Sequence, residues 1–308
     1  MPAKVHYRRL CVALVMILLA SLGAYATPQE PETLRIAVNV DLVVVNATVR
    51  DRKGNFVSDA REQDFEVYED GLRQSIRFFS HEDVPVTVGL VVDHSGSMSK
   101  KLGDVVAAAR TFARSSNPED QMFVVNFNEH VTVALPAGIR FTNRPDDLEA
   151  AILQVRATGQ TALYDALAEA LERVQAGGRE RKVLIVISDG GDNASVRSEA
   201  EILKLARQSS ALVYTIGIFD EQDPDRNPFV LRRLALATGG EAFFPEQLPQ
   251  VVAICESIAR DIRHQYTIGY VSTKGVQPGV YRPIRVVAKG TAGKLVVRAR
   301  SGYIAGSK

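Results

Sequence analysis

Three stretches of this chain are dominated by apolar residues: VPVTVGLVVD at 84–93, RKVLIVISD at 181–189 and ALVYTIGIF at 211–219. A half-exposed strand alternates apolar with polar residues, so runs like these belong to strands covered on both faces. Helical patterns fall between them: LGDVVAAARTFARS from Leu102, then 147–155, 162–174 and 198–210. A further strand reads at 122–128, a helix in FVLRRLALATG ends at a glycine pair, a short EAFF strand follows, and a last helix spans 245–265. This alternation predicts an α/β class: a doubly wound, mostly parallel sheet with helices on both faces. The strand–helix units are too few for a barrel.

The flanks have a different rhythm. Residues 34–82 are rich in β-branched residues, with a turn at Arg52-Lys53-Gly54-Asn55 and a hairpin turn at Asp70-Gly71. In FEVYEDG, Phe65, Val67 and Glu69 share one face against Glu66 and Tyr68. Strand character returns at 266–304 in YTIGYVS, YRPIRVVAK and GKLVVRARSGY. Each flank alone is too small for a good core. The expectation is one small β domain made of 34–82 and 266–304, with the α/β domain of 84–265 inserted between its halves, a linker at 27–33 and a tail at 305–308.

At the N-terminus, Lys4, Arg8 and Arg9 precede the apolar run LCVALVMILLA, and Ala24-Tyr25-Ala26 fits a signal-peptidase site. Residues 1–26 are therefore expected to be a signal peptide, and the protein to be exported to the periplasm, cell envelope or extracellular space. An uncleaved leader would be the route to a membrane. The formal charge of +1 becomes −2 once those three basic residues leave, and neither value suggests a nucleic-acid footprint. With 46% apolar and 24% charged residues, the chain has the composition of a core-stabilised protein. Its two cysteines exclude a disulfide scaffold and multi-thiolate metal sites. The one beyond the leader, Cys255, lies in VVAICESIA on an apolar helix face, as a buried structural thiol does.

Chemistry concentrates at strand ends. The first buried strand runs into Asp93-His94-Ser95-Gly96-Ser97, and open α/β sheets bind ligands beyond the carboxyl ends of their strands. VLIVIS ends in Asp189-Gly190-Gly191-Asp192-Asn193, and Gly159-Gln160-Thr161 precedes a helix. Two carboxylates and three hydroxyls make an all-oxygen environment, which suits Mg²⁺, Mn²⁺ or Ca²⁺ and disfavours Zn²⁺ or Cu²⁺. An ion with few direct carboxylates keeps positive charge, and can accept a carboxylate from a partner at an open position.

In order and type, these residues resemble the metal-ion-dependent adhesion site of von Willebrand factor type A domains, in which an Asp-x-Ser-x-Ser loop is paired with a downstream Thr and Asp. Asp93, Ser95 and Ser97 match the first element, Thr161 the second and Asp189 the third. The resemblance covers about 84–265. It implies direct metal contacts from Ser95, Ser97 and Thr161, with Asp93 and Asp189 acting mostly through waters. The chain is also similar to a narrower group of exported proteins carrying such domains, abundant in acidobacteria. In that group a segment like 45–80 precedes the domain and an Arg-x-Gly-Tyr segment closes the chain, here Arg300-Ser301-Gly302-Tyr303. His94 fills a variable position of the loop, and Gln160 stands where the family often has a smaller residue. Both are expected on a partner-binding rim, where protonation of His94 would weaken contact.

Simpler readings compete. A polar turn capping the next helix explains Asp93, Ser95 and Ser97 alone, but not Thr161 and Asp189 in order. Asp192 and Asn193 read as turn or cap residues. Asp93-His94-Ser95 is no catalytic triad, because three adjacent residues cannot line up acid, base and nucleophile. The sequence has no G-x-S-x-G elbow at the serines, no H-E-x-x-H and no P-loop. The expected function is a metal-dependent, adhesion-type protein-binding module, not an enzyme. Its ion would coordinate an Asp or Glu of a protein partner, with no nucleic acid involved. The alternatives are a hydrolase using the same ion to activate water, and a structural envelope protein rigidified by it.

Overall fold

The valine-rich stretch after residue 41 becomes β1 (Leu42–Arg50), since β-branched side chains fit a pleated surface. The structure, a computed structural model, describes residues 42–219, 226–275, 277–290 and 293–306; the expected leader and linker lie outside them. A single 3₁₀ turn at Glu62–Asp64 leads into β2 (Phe65–Glu69) and β3 (Leu72–Gln74), and β4 (Ile76–Ser80) follows. The turn residues Asp70 and Gly71 have φ of 49° and 79°, the positive values that a two-residue hairpin loop favours.

The next elements are β5 (Val86–Asp93), α1 (Leu102–Ser115), β6 (Gln121–Phe127), β7 (Val131–Ala134), α2 (Pro145–Ile152) and α3 (Leu163–Gln175). After them come β8 (Arg181–Ser188), α4 (Glu199–Gln208), β9 (Leu212–Gly217), α5 (Pro228–Thr238), β10 (Ala242–Phe243) and α6 (Gln250–Arg263). Their strands form one sheet in the order β10-β9-β8-β5-β6-β7, parallel except for the β6–β7 pair. The doubly wound reading holds. One face packs Val88, Leu90 and Val92 against α1, α2 and α6, and the other packs Val91 and Phe123 against α3, α4 and α5. Gly89 is needed between them, because a Cβ there would lie 2.5 Å from the Phe123 ring.

Local signals set the helix ends. Ser198 and Glu201 form a capping box on α4, and Gly239 ends α5 at φ 88°. Besides shifts of a few residues, such as the helix read at 147–155 that runs Pro145–Ile152, two features differ from the sequence reading. The edge strand β7 went unread because four residues carry little pattern. The last helix starts at Gln250 rather than 245, since Pro249 disfavours helical geometry at the residue before it, and it stops at Arg263 because Gln265 already pairs in a sheet. Cys255 is buried on α6, and burial pushes its thiol up to about 12, so it is chemically inert.

The chain then adds β11 (Gln265–Val271), β12 (Tyr281–Gly290), β13 (Gly293–Lys294), β14 (Val296–Ala299) and β15 (Gly302–Ile304). These join the early strands in two sheets. One runs β14-β1-β11-β4, the other β13-β12-β2-β3 with β15 on β12. Val45, Ala47, Tyr266, Ile268 and Tyr270 from the first sheet share a core with Phe65, Val67, Ile284 and Ala288 from the second.

These β strands meet the α/β layer at the start of its strands. Arg181, the first residue of β8, donates to Thr267 Oγ1 at 2.6 Å, whereas Ser188, the last, donates to Asp93 at 2.6 Å. At the rise of an extended strand the two ends of β8 are about 23 Å apart. The carboxyl edge of the sheet therefore faces away from the β strands.

Candidate metal centre

Three loops meet at that carboxyl edge. In the first, Asp93 ends β5 fully buried, and its Oδ1 accepts from the Ser95 backbone N–H at 2.8 Å. Ser95 is extended, and one 3₁₀ turn over Gly96–Met98 brings Ser97 back toward it, with Met98 buried beneath. The two hydroxyl oxygens are 3.0 Å apart, and Ser97 Oγ donates to Asp189 Oδ2 at 2.7 Å.

The second loop follows β8. Asp189 Oδ1 accepts from Gly191 N–H at 3.1 Å. Ser188, one residue earlier, donates its hydroxyl to Asp93 Oδ2 and accepts from Gly190 N–H at 3.0 Å. Gly190 turns at φ 80°, and a Cβ there would sit 2.4 Å from the Asn227 carbonyl. Only glycine allows so tight a turn under the loop before α5.

The third loop carries Thr161. Gly159 (φ 79°) accepts from Gly96 N–H at 3.2 Å, and Thr158 N–H donates to His94 O at 2.8 Å, so this loop is stitched to the first at two points. It is tied to the second loop too. Thr161 N–H donates to Asn193 Oδ1 at 2.9 Å, and Thr161 O accepts from the backbones of Asn193 and Ala194. Asp192 accepts from Tyr164 N–H at 2.9 Å in the first turn of α3 and from Ser195 Oγ at 2.6 Å.

The site holds two buried carboxylates close together. Burial and then the charge of Asp189 push the Asp93 carboxyl up to about 6, against the hydrogen bonds from Ser188 and Ser95. Among the described residues no cluster of three or more His, Cys, Asp or Glu could hold a metal ion. An ion here would rest on hydroxyls and these two acids. Hard oxygens around a local excess of negative charge fit a hard divalent cation and offer nothing to a soft one.

The rim expectation for His94 is corrected. The residue is fully buried, its Nε2 lies 3.0 Å from Asn126 Oδ1, and Asn126 in turn donates to Ala151 O at 2.8 Å. The backbone explains this: His94 N–H bonds to Phe127 O at 2.6 Å, extending the pairing with β6, so strand alternation turns its side chain opposite to Asp93 and Ser95. Burial holds the imidazole below its usual range and keeps it neutral. Gln160 is exposed, and its backbone N–H donates to Glu129 Oε2 at 2.9 Å. Glu129, Ser188, Asn126 and the buried Lys101, which donates to Ile218 O at 3.1 Å, are residues the sequence reading did not reach. Of these, Ser188 had a signal, since it lies between a buried strand and Asp189.

Residues 88–191, which include Asp93, Ser95, Ser97, Thr161 and Asp189, match the family described as von Willebrand factor type A domain. A search of curated proteins returns no match. Among solved structures, a von Willebrand factor type A protein from Catenulispora acidiphila is similar at 16% identity, over 81% of this chain and 75% of that one, with a TM-score of 0.53. The vWF domain of the type V pili tip protein Mfa5 from Porphyromonas gingivalis is similar at 15% identity, over 58% of this chain and 95% of that one, with a TM-score of 0.50. At these identities the likeness speaks to the fold. Together with the doubly wound sheet, these matches show that the chain contains a von Willebrand factor type A domain.

Proposed function

We propose that the protein is an exported, metal-dependent protein-binding module of the adhesion type. Ser95, Ser97 and Thr161 would hold Mg²⁺, Mn²⁺ or Ca²⁺ directly, with Asp93 and Asp189 bound mostly through waters. The ion supplies an open position for an Asp or Glu carboxylate of a protein partner. The observation that carries this reading is the convergence of three loops, stitched by backbone bonds, that places Ser95, Ser97 and Asp189 in one hydrogen-bonded chain beside buried Asp93.

The β segments at 34–82 and 266–304 act as one domain that carries the α/β domain and turns its carboxyl edge outward. This arrangement, with the closing Arg300-Ser301-Gly302-Tyr303, supports the likeness to the exported acidobacterial group. The leader directs export. Water-activating hydrolysis is the weaker reading: the imidazole next to Asp93 in the chain, that of His94, is buried on Asn126 and cannot serve as a base for a solvent-side substrate.

Isothermal titration with Mg²⁺ and Mn²⁺ tests the proposal. Binding at millimolar ion or tighter is expected, and loss of most of that affinity in Ser95→Ala. Absence of binding by either ion would sink it.

A further inference from the structure

Ser188 belongs to none of the five positions proposed to hold the ion, yet it is bonded to one of them from the next strand. Val92 pairs with Ile187 in the parallel register of β5 and β8, so Asp93 and Ser188, the residues that follow, turn to the same face. Both are fully buried. Ser188 Oγ donates to Asp93 Oδ2 at 2.6 Å, the length of a charge-assisted bond. Gly190 N–H donates to the same hydroxyl oxygen at 3.0 Å, which leaves the hydroxyl proton for Asp93. The strand end is fixed as well, since Ile218 N–H, just beyond β9, donates to Ser188 O at 3.1 Å.

The other Asp93 oxygen, Oδ1, accepts from Ser95 N–H at 2.8 Å. Each oxygen of this carboxylate therefore has a donor supplied by the fold, one from its own loop and one from β8. The donor from β8 is a side chain, and it draws Oδ2 toward that strand. A carboxylate that coordinates directly lowers the positive charge left on an ion, and the count of charged ligands tunes such sites. Whether Asp93 coordinates directly or through water thus decides how strongly the ion attracts a further carboxylate.

We infer that Ser188 is a positioning residue that holds Asp93 back from the ion, and so leaves the ion's charge to the partner's carboxylate. This rests on the metal-and-carboxylate reading above and adds what regulates that site: one hydroxyl lowers its affinity for metal and raises its affinity for an acidic partner. A hydroxyl that only packed the strand end would act otherwise. Its loss would loosen the loops and weaken metal and carboxylate binding together.

The test titrates Mn²⁺ into the purified protein at pH 8, above the value of about 6 to which Asp93 is pushed. Water-proton relaxation follows the waters on the ion, and acetate is then added to the loaded protein to displace them. In Ser188→Ala, with Asp93 free to coordinate directly, Mn²⁺ affinity should rise about threefold and acetate affinity fall about fivefold. The relaxation enhancement of the loaded variant before acetate should also drop, because the carboxylate has replaced a water. Ser188→Thr keeps the hydroxyl and should restore the wild-type values. Ser188→Cys, with a weak donor, should fall between serine and alanine, and takes the place of Ser188→Ala if that protein does not fold. Weaker Mn²⁺ binding in Ser188→Ala, or acetate affinity equal to that of the wild type, would overturn the inference and leave the metal reading standing. So would a Ser188→Thr protein that behaves as Ser188→Ala does. Failure of the wild type to bind Mn²⁺, or of acetate to displace its water, would overturn that reading and the inference with it.

Discussion

Glu69 and Asp93 each end a strand, and each is almost completely buried, yet their surroundings differ in kind. Glu69 Oε1 accepts from Arg282 at 2.8 Å and from Ser272, and its Oε2 accepts from Tyr270 at 2.9 Å and Tyr303 at 3.0 Å. Arg282 also donates from Nη1 to Ser272 and from Nη2 to the Gly275 carbonyl, while its buried Nε has no hydrogen-bond partner. Burial pushes the Glu69 carboxyl up, but these bonds outweigh it and hold the group below the usual range. Asp93 meets hydroxyls and a second carboxylate instead, and is pushed up to about 6. In the first cluster the carboxylate charge is answered inside the fold, by Arg282. At the second, two carboxylates lie together, and the function proposed above has a bound cation answer their charge. A buried acid thus marks a site by what is missing from its coordination, not by its burial.

The Glu69 cluster should give the largest effect. Arg282→Met leaves Glu69 buried without its cation, and stability measured by urea unfolding should fall by about 3–5 kcal/mol. Glu69→Gln added to Arg282→Met should recover part of that loss, because the amide oxygen still accepts a tyrosine hydroxyl and the charge is gone. The same change should leave Mg²⁺ affinity unaltered, since the cluster lies in the β strands. A neutral Arg282→Met would break the contrast.

Asp120 checks whether a raised carboxyl alone marks a site. It precedes β6, is 7% exposed, and accepts only backbone bonds, from Val86 at 2.8 Å and Asn117 at 3.0 Å. Burial pushes it up to about 6, with Asp83 adding and Arg263 opposing. The folded value lies above the unfolded one, so folding favours the protonated form. That contribution is fully present below about pH 4 and is lost as pH rises through about 6, a change of about 2–3 kcal/mol. Asp120→Asn should flatten this part of the pH profile of unfolding, while Mg²⁺ binding stays as it was. An unchanged profile would show that the backbone bonds, not burial, set this group.

How much of this contrast was legible in the sequence differs between its halves. Asp93, Ser95, Ser97, Thr161 and Asp189 could be placed at the carboxyl edge because unbroken apolar runs fix where buried strands end. Glu69 could be placed inward from its alternation with Phe65 and Val67. Its partner could not, because 213 residues separate it from Arg282 and only the β2–β12 register brings them together. In hindsight Arg282 shares the face of Ile284, a charge at an inward position of a strand. His94 misled for a related reason: motif position suggested a rim, whereas backbone pairing with Phe127 decided which way it turned. Residue type gives the chemistry and local period gives the face, but only pairing across the fold says whether a charge is answered.

The smallest effect has the most telling sign. Asp93→Asn removes one of two repelling buried charges, and the carboxamide can still accept from Ser95 and donate to Ser188. Without metal, at pH 7, the variant should be more stable than the wild type by about 1 kcal/mol, since relief of burial and repulsion exceeds the weaker hydrogen bonds. With Mg²⁺ at a hundredfold excess over its dissociation constant, the wild type should gain about 2.7 kcal/mol and the variant almost nothing. The order of stability therefore reverses on adding the ion. Removing charge from the Glu69 cluster destabilises the fold under both conditions, whereas at Asp93 the sign depends on the ligand. Urea midpoints of both proteins with and without Mg²⁺ measure this directly, and a variant less stable than the wild type in both would place Asp93 among the structural acids.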